Sequence, residues 1–431
     1  MATFVVTSNS DVTDSNDEVL TLREAIELAN TSAGTDTITF DPSIFSGGLE
    51  SFVRLTQGEL TSTDAVIIDG TGATDVTLSG DANGDDTLQA GTNLIDVKGS
   101  TTGQLDDNSR VLVSGGDTVL QGLTITGGRT TGNNADGGGV LVEGNLVLRD
   151  SLVSGNSTAG NEAEGGGVKA TGDVHVVDSR VANNHTTGSG ANGGGVHADG
   201  AGVLLRSTLE DNSTTGQEGD GGGIRTEGTG GIVVVDSTVS SNTTSGRGAS
   251  GGGVQARGGD LIAVNSTVVD NRAFNNDRSA GGGLNSNFDT TITNSTVTGN
   301  STASSGGGVR SEGDLTVQNS IVVGNSANRD ANLSAGGTST VTSSLTSGAA
   351  EDVFENTAPQ AGDETVQAGA LANNGGPTQT VALKVDPANP AIDAGDGTVG
   401  IGASFNEAAL DLDCQSASKR DPISAPNSDP L

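Results

Sequence analysis

Tryptophan and tyrosine are absent from this chain, phenylalanine occurs 8 times in 431 residues, and cysteine and methionine occur once each. Without large rings, a core cannot be organised around a few bulky side chains. Apolar burial must come from small aliphatic residues in many thin layers. The single cysteine, Cys414, excludes an internal disulfide framework. Scarce cysteine and methionine suit an exposed setting in which both would be oxidised. Basic residues are also few: 19 Lys and Arg stand against 54 Asp and Glu, for a formal charge of −35. Phosphate binding needs a clustered basic footprint, so nucleic acid is not an expected partner. The acidity favours solubility, divalent-cation association or a saline habitat. No apolar run approaches the roughly 18 residues of a membrane span. The opening MATFVVTSNS begins at once with strand-like sequence and lacks the basic and apolar regions of an export signal. The expectation is a mature chain from which a signal peptide has been removed.

Glycine is abundant, at 69 residues, and it is periodic. Gly-Gly-Gly followed by an aliphatic residue recurs with the aliphatic at Val140, Val168, Val196, Ile224, Val254, Leu284 and Val309, at intervals of 28, 28, 28, 30, 30 and 25. Two further columns run in phase: Ser151, Ser179, Ser207, Ser237, Ser266, Ser295 and Ser320, then Asn156, Asn184, Asn212, Asn242, Asn271, Asn300 and Asn325. Apolar residues alternate within each unit, as at Leu146 and Leu148 or Val174 and Val176, which is a strand period and excludes helical repeats. A polar chain of this kind is either disordered or a solenoid, and the phased columns decide for the solenoid. The chain reads as all-β, a right-handed parallel β-helix with coils of about 28 residues stacked about 4.8 Å apart. Residues 1–50 form an N-terminal cap with a short helix, 51–348 the β-helix, and 349–431 an irregular C-terminal cap.

Each column has a physical role. Val153, Val181, Leu209, Val239, Val268, Val297 and Val322 should form a continuous aliphatic stripe. The asparagines should bond one another from coil to coil as an amide ladder. The sequons at Asn156, Asn212 and Asn242 then belong to this ladder and carry no glycan. The glycine triplets should mark positive φ or backbones too close for a Cβ. Variable polar segments such as STAGNEAE and HTTGSGAN form outward loops along one edge, and in solenoids such an edge often binds.

Catalytic candidates lie in one column, Asp150, Asp178, Arg206 and Asp236, continued by Asn265, Asn294 and Asn319. Stacked carboxylates with an Arg could serve a polysaccharide lyase or hydrolase acting on acidic glycans, since hydrolysis needs an acid and a base at a set separation. The exchange of Asp for Asn favours plain turn residues bonding the local backbone. The missing Trp and Tyr also furnish a sugar cleft poorly. For metal, Asp81, Asn83, Asp85 and Asp86 space oxygen ligands as calcium loops do, so Ca2+ is the candidate cofactor, although the glycine and distal Glu of an EF-hand are missing. His175, His185 and His197 fall in different columns without metal-ligand spacing. His197 joins Lys169, Arg225 and Arg310 in an outward stripe, with Asp199, Glu227 and Glu312 two residues on, and reads as a screened surface charge ladder.

The segment Thr21-Leu-Arg-Glu-Ala-Ile-Glu-Leu-Ala-Asn30, followed by Asp36-Thr-Ile-Thr-Phe-Asp41, resembles the CSLREA entry motif of bacterial secreted β-helix proteins, without the cysteines common there. Leu371-Ala-Asn-Asn-Gly-Gly-Pro-Thr-Gln-Thr380 and Pro390-Ala-Ile-Asp-Ala-Gly395 resemble the choice-of-anchor C-terminal region of similar surface proteins. The closing motif that often follows is missing before Leu431, so the expectation is a truncated chain or an absent anchor. The resemblance implies an extracellular or cell-surface location and a solenoid architecture, but no activity. The expected function is a non-catalytic structural or adhesin-like protein whose partners are cell-surface or matrix components, including glycans. A glycan-cleaving enzyme and a self-assembling filament subunit are the alternatives, the latter because exposed coil ends are sheet edges.

Overall fold

The computed structural model describes residues 1–14, 16–83, 108–274, 279–355, 357–360, 363–386 and 388–391. The repeat winds as a parallel β-solenoid whose coils contribute one strand to each of several long sheets. In one coil, Val140–Val142 lies in a 10-stranded sheet (sheet C) and Leu146–Arg149 in a 12-stranded sheet (sheet A). Leu152–Ser154 follows in a second 10-stranded sheet (sheet B) and Ser157–Thr158 in a 7-stranded one (sheet D). The next coil enters in register, pairing Val140 with Val168, Leu146 with Val174, Val153 with Val181 and Ser157 with His185. All of these pairings are parallel, as the 28-residue period requires.

The aliphatic stripe lies in the interior as expected. Val153, Val181, Leu209, Val239, Val268, Val297 and Val322 belong to a single buried cluster with the aliphatic residues that follow the glycine triplets. Each fully buried Val or Leu contributes about 1.5–3 kcal/mol, so cohesion is spread along the rod.

The corners are held by side chains. Asn184 Nδ2 donates to Asn212 Oδ1 at 3.0 Å and to the carbonyls of Val153 and Ala182, while the Asn184 N–H also donates to Asn212 Oδ1. The same pattern runs from Asn156 to Asn325. The serines form a parallel ladder in which each N–H donates to the next hydroxyl, as Ser179 to Ser207 at 3.1 Å and Ser207 to Ser237 at 3.0 Å. Both ladders satisfy polar groups that water cannot reach. The triplets combine the two expected glycine roles. Gly165 has φ +66, a Cβ on Gly166 would lie 2.4 Å from the Gly194 carbonyl oxygen, and one on Gly167 would meet the Asn184 amide at 2.8 Å. The triplet is thus the imprint left by the Asn ladder and the next coil.

Helix α1 (Leu22–Ala29) closes the first coil. Thr21 and Glu24 form a reciprocal capping box, and Leu22, Ala25 and Ile26 enter the main core. Arg23 binds Asp11 through Nε at 2.9 Å and Nη2 at 3.1 Å and reaches the Gly58 and Glu59 carbonyls. Every residue of the Leu-Arg-Glu-Ala run therefore has a structural task. At the other end, the short helix α2 (Ala350–Val353) and Phe354 pack on Val323, on the flank of the rod. Residues 371–381 form a small antiparallel pairing beyond it, and Thr378 and Gln379 bond Asp236 and Thr238 two coils or more back along the solenoid. One feature departs from simple strand alternation. Val177, Val203, Leu205, Val233 and Val235 form a second buried cluster on the outer face of sheet A, because Gly202–Leu205 and Ile232–Val235 are apolar at successive positions.

Candidate functional site

The central residue of the sheet C strands from Val168–Ala170 to Val309–Ser311 points away from the core, since its neighbours on both sides are buried. In successive coils this outward column is Lys169, His197, Arg225, Gln255, Asn285 and Arg310. Expected as a screened surface stripe, it is instead the floor of a polar groove: Lys169 is 4% exposed, His197 0% and Arg225 2%. One wall is the residue before each glycine triplet, which bonds coil to coil. Asn192 Nδ2 donates to Glu164 Oε1 at 2.8 Å, the Asp220 N–H to Asn192 Oδ1 at 2.9 Å, and the Ser250 N–H to Asp220 Oδ1 at 2.7 Å. The opposite wall is Asp199, Glu227, Arg257, Asn287 and Glu312, each two residues past the floor.

In the first half of the groove the charges neutralise one another. Lys169 Nζ lies 2.8 Å from Glu164 Oε2 and also donates to Asp199 Oδ1. His197 Nε2 stands 3.2 Å and 3.3 Å from those same two oxygens, aligned for a hydrogen bond with neither. Arg225 Nη2 is 2.8 Å from Glu227 Oε1. Burial works to raise the Asp199 pKa, but the close polar contacts of its carboxylate with His197 and Lys169 and the lysine charge outweigh it and bring it down to about 2. Glu164 is also lowered: burial opposes the shift, and His197 and Lys169 prevail. Lys169 is raised because Glu164 and Asp199 overcome its desolvation. Burial dominates at His197 and lowers its pKa, favouring the neutral ring.

Glu164, His197 and Glu227 bring ligand atoms within 4.8 Å of one another, a donor set suited to zinc or a similar ion. The oxygens flanking His197 are already bonded to Lys169, so the cluster carries its own cation. The spacing of the histidines could not reveal this site, because its carboxylates come from the coils before and after His197. The polar residue before each of the first five triplets, Asp136, Glu164, Asn192, Asp220 and Ser250, is the signal that could have.

In the second half the floor changes to amides and the groove opens. Asn285 Nδ2 donates to Gln255 Oε1 at 2.5 Å, and Gln255 Nε2 reaches Asn287 Oδ1 at 3.5 Å. A cavity of about 520 Å³ lies over them, lined also by Asp220, Arg257, Arg310, Glu312 and Arg329. Burial raises the Asp220 pKa against the pull of Arg225.

The sequence candidates fall elsewhere. Asp150, Asp178, Arg206 and Asp236 sit at the turn between sheets A and B, all with left-handed backbone at φ 48 to 49, as do Asn265, Asn294 and Asn319 at φ 49 to 50. Asp and Asn tolerate that conformation by bonding locally. Arg206 grips Asp178 through Nε at 2.7 Å and Nη2 at 2.8 Å, so these two neighbours are joined as an ion pair on the outside of the rod. Asp81 is buried, with its N–H on Ser79 Oγ at 3.3 Å, and Asn83 is exposed. Asp85 and Asp86 lie outside the described residues. His185 Nδ1 is 2.7 Å from Ser213 Oγ, and His175 lies on the outer face of sheet A between Val147 and Val203. Among the described residues no helix is long and apolar enough to cross a membrane. No family model, no curated protein and no solved structure matches the chain.

Proposed function

We propose that this chain is an extracellular, surface-displayed structural or adhesion-type rod, with cell-surface or matrix components as partners. The observation that carries the reading is the pair of Asn and Ser ladders, which commit the corner side chains of each coil from Ser151 and Asn156 to Ser320 and Asn325 to holding its neighbour. Strong acidity, scarce oxidisable residues and the likeness of the Thr21–Asn30 and Leu371–Thr380 segments to secreted proteins support the location. A bidentate partner on Arg206 and left-handed turns along its column support a scaffold role for those residues over lyase or hydrolase chemistry. The test is antibody labelling of intact source cells, paired with incubation of the pure chain on acidic and neutral glycans. Surface labelling without new reducing or unsaturated ends is expected. Antigen confined to the cell interior, or turnover lost in Asp178→Asn, would overturn the reading.

A further inference from the structure

We propose that the open half of the groove is a binding site for an acidic oligosaccharide, with the carboxylates of uronate-type sugars held by Arg257 and Arg329. This goes beyond a structural role by assigning a ligand class to one face of the rod. The cavity of about 520 Å³ has room for a few sugar rings, and apart from Gly248 and Ala280 its lining is polar or charged. Two of its arginines are under-used: among the described residues Arg329, which is exposed, forms no ion pair, and Arg257 is 54% exposed and 3.9 Å from Glu227. Arg310, in contrast, already pairs with Glu312 at 3.0 Å. On the floor, Asn285 is 2% exposed and lines the cavity together with Gln255 and Asn287. The amides of these residues offer donors and acceptors of the kind that sugar hydroxyls need.

The lining also selects the class of ligand. A bound peptide would need apolar pockets or a free strand edge, and here the floor strands are paired on both sides. Neutral sugars rely on aromatic faces, and the chain has no Trp or Tyr. Hydroxyls that both donate and accept match the amides and carboxylates, while guanidinium groups bind a sugar carboxylate through paired charged hydrogen bonds. The three lining carboxylates, Glu218, Asp220 and Glu312, are balanced by three arginines: Arg310 pairs with Glu312, Asp220 accepts the Ser250 N–H, and Arg257 and Arg329 remain for the ligand.

The test is calorimetric titration of the full chain at low salt with tetragalacturonate and with its carboxyl-reduced neutral counterpart. The uronate should bind, weakening as salt rises, and the neutral sugar at least about tenfold more weakly. The double variant Arg257→Gln/Arg329→Gln should lose about tenfold or more in affinity while melting as the parent does, because both side chains are exposed. Asn285→Ala, with a normal melt, should also weaken binding. No uronate binding by the folded parent, equal binding of the neutral sugar, or undiminished binding by the double variant would each overturn the proposal. Because binding is measured on the pure chain, its failure leaves the surface-display reading standing, and the reverse also holds.

Discussion

The two halves of the groove share one backbone and differ in what stands on it. Over Lys169, His197 and Arg225 the walls supply Glu164, Asp199 and Glu227, and every cation meets a carboxylate. Over Gln255 and Asn285 the floor is uncharged, a cavity opens above it, and among the described residues no donor reaches the Asn285 amide oxygen. A repeat that fixes the backbone so tightly leaves three side-chain columns free to vary. The same architecture thereby yields a sealed ionic strut in one stretch and an open polar cavity in the next.

The backbone common to both halves can be broken first. Asn271→Leu removes bonds to Asn300, Val239 and Val269 and strands the Asn242 groups that bond Asn271 Oδ1. At about 1–3 kcal/mol for each buried group left unpaired, a loss of about 4 kcal/mol or more is expected in denaturant unfolding. The next effect separates the halves. Lys169→Met leaves Glu164 and Asp199 facing each other beside a neutral His197, and should cost about 3 kcal/mol. Arg310→Met in the open half, where the side chain is 29% exposed, should cost about 1 kcal/mol or less by the same measurement. Equal losses would erase the distinction between strut and cavity.

A pH effect comes from a neighbouring corner. Asp270 has φ +58, its Oδ1 has no hydrogen-bond partner among the described residues, and burial raises its pKa to about 7. Its folded pKa lies above the unfolded one, so its stabilising contribution is complete below about pH 4 and lost as pH rises through 7. Asn183 fills the same column with φ +56, so Asp270→Asn suits the backbone. The variant should melt like the parent at pH 4 and roughly 2–4 °C higher at pH 8. The smallest effect is expected at Asn285→Leu, which removes one bond to Gln255 together with an unpaired oxygen and should change stability by about 1 kcal/mol or less.

The solenoid was legible because its rules are one-dimensional. The Asn, Ser, Val and Gly columns each repeat at a single place in the coil, and the bonds they make join identical residues in adjacent coils. The groove was not legible in the same way. Glu164 and His197 are 33 residues apart and meet because they are one coil plus five residues apart, an offset that no single column displays. The outward stripe of Lys169, His197 and Arg225 was visible, but its burial was not, because burial depends on walls drawn from segments whose composition varies from coil to coil. The outer apolar cluster around Val203 and Val233 was hidden for another reason: alternation identifies the inner face of a strand and is silent when both faces are apolar.

Hydrogen exchange with and without tetragalacturonate tests the contrast between the two halves most directly. Slowed exchange is expected around Glu218–Asp220, Ser250–Arg257, Asn285–Asn287, Ser304–Glu312 and Arg329, which line the cavity, with the Glu164–Asp199 stretch unchanged because its charges are already satisfied. Protection centred on Lys169 and His197, or none anywhere at saturating sugar, would contradict that expectation.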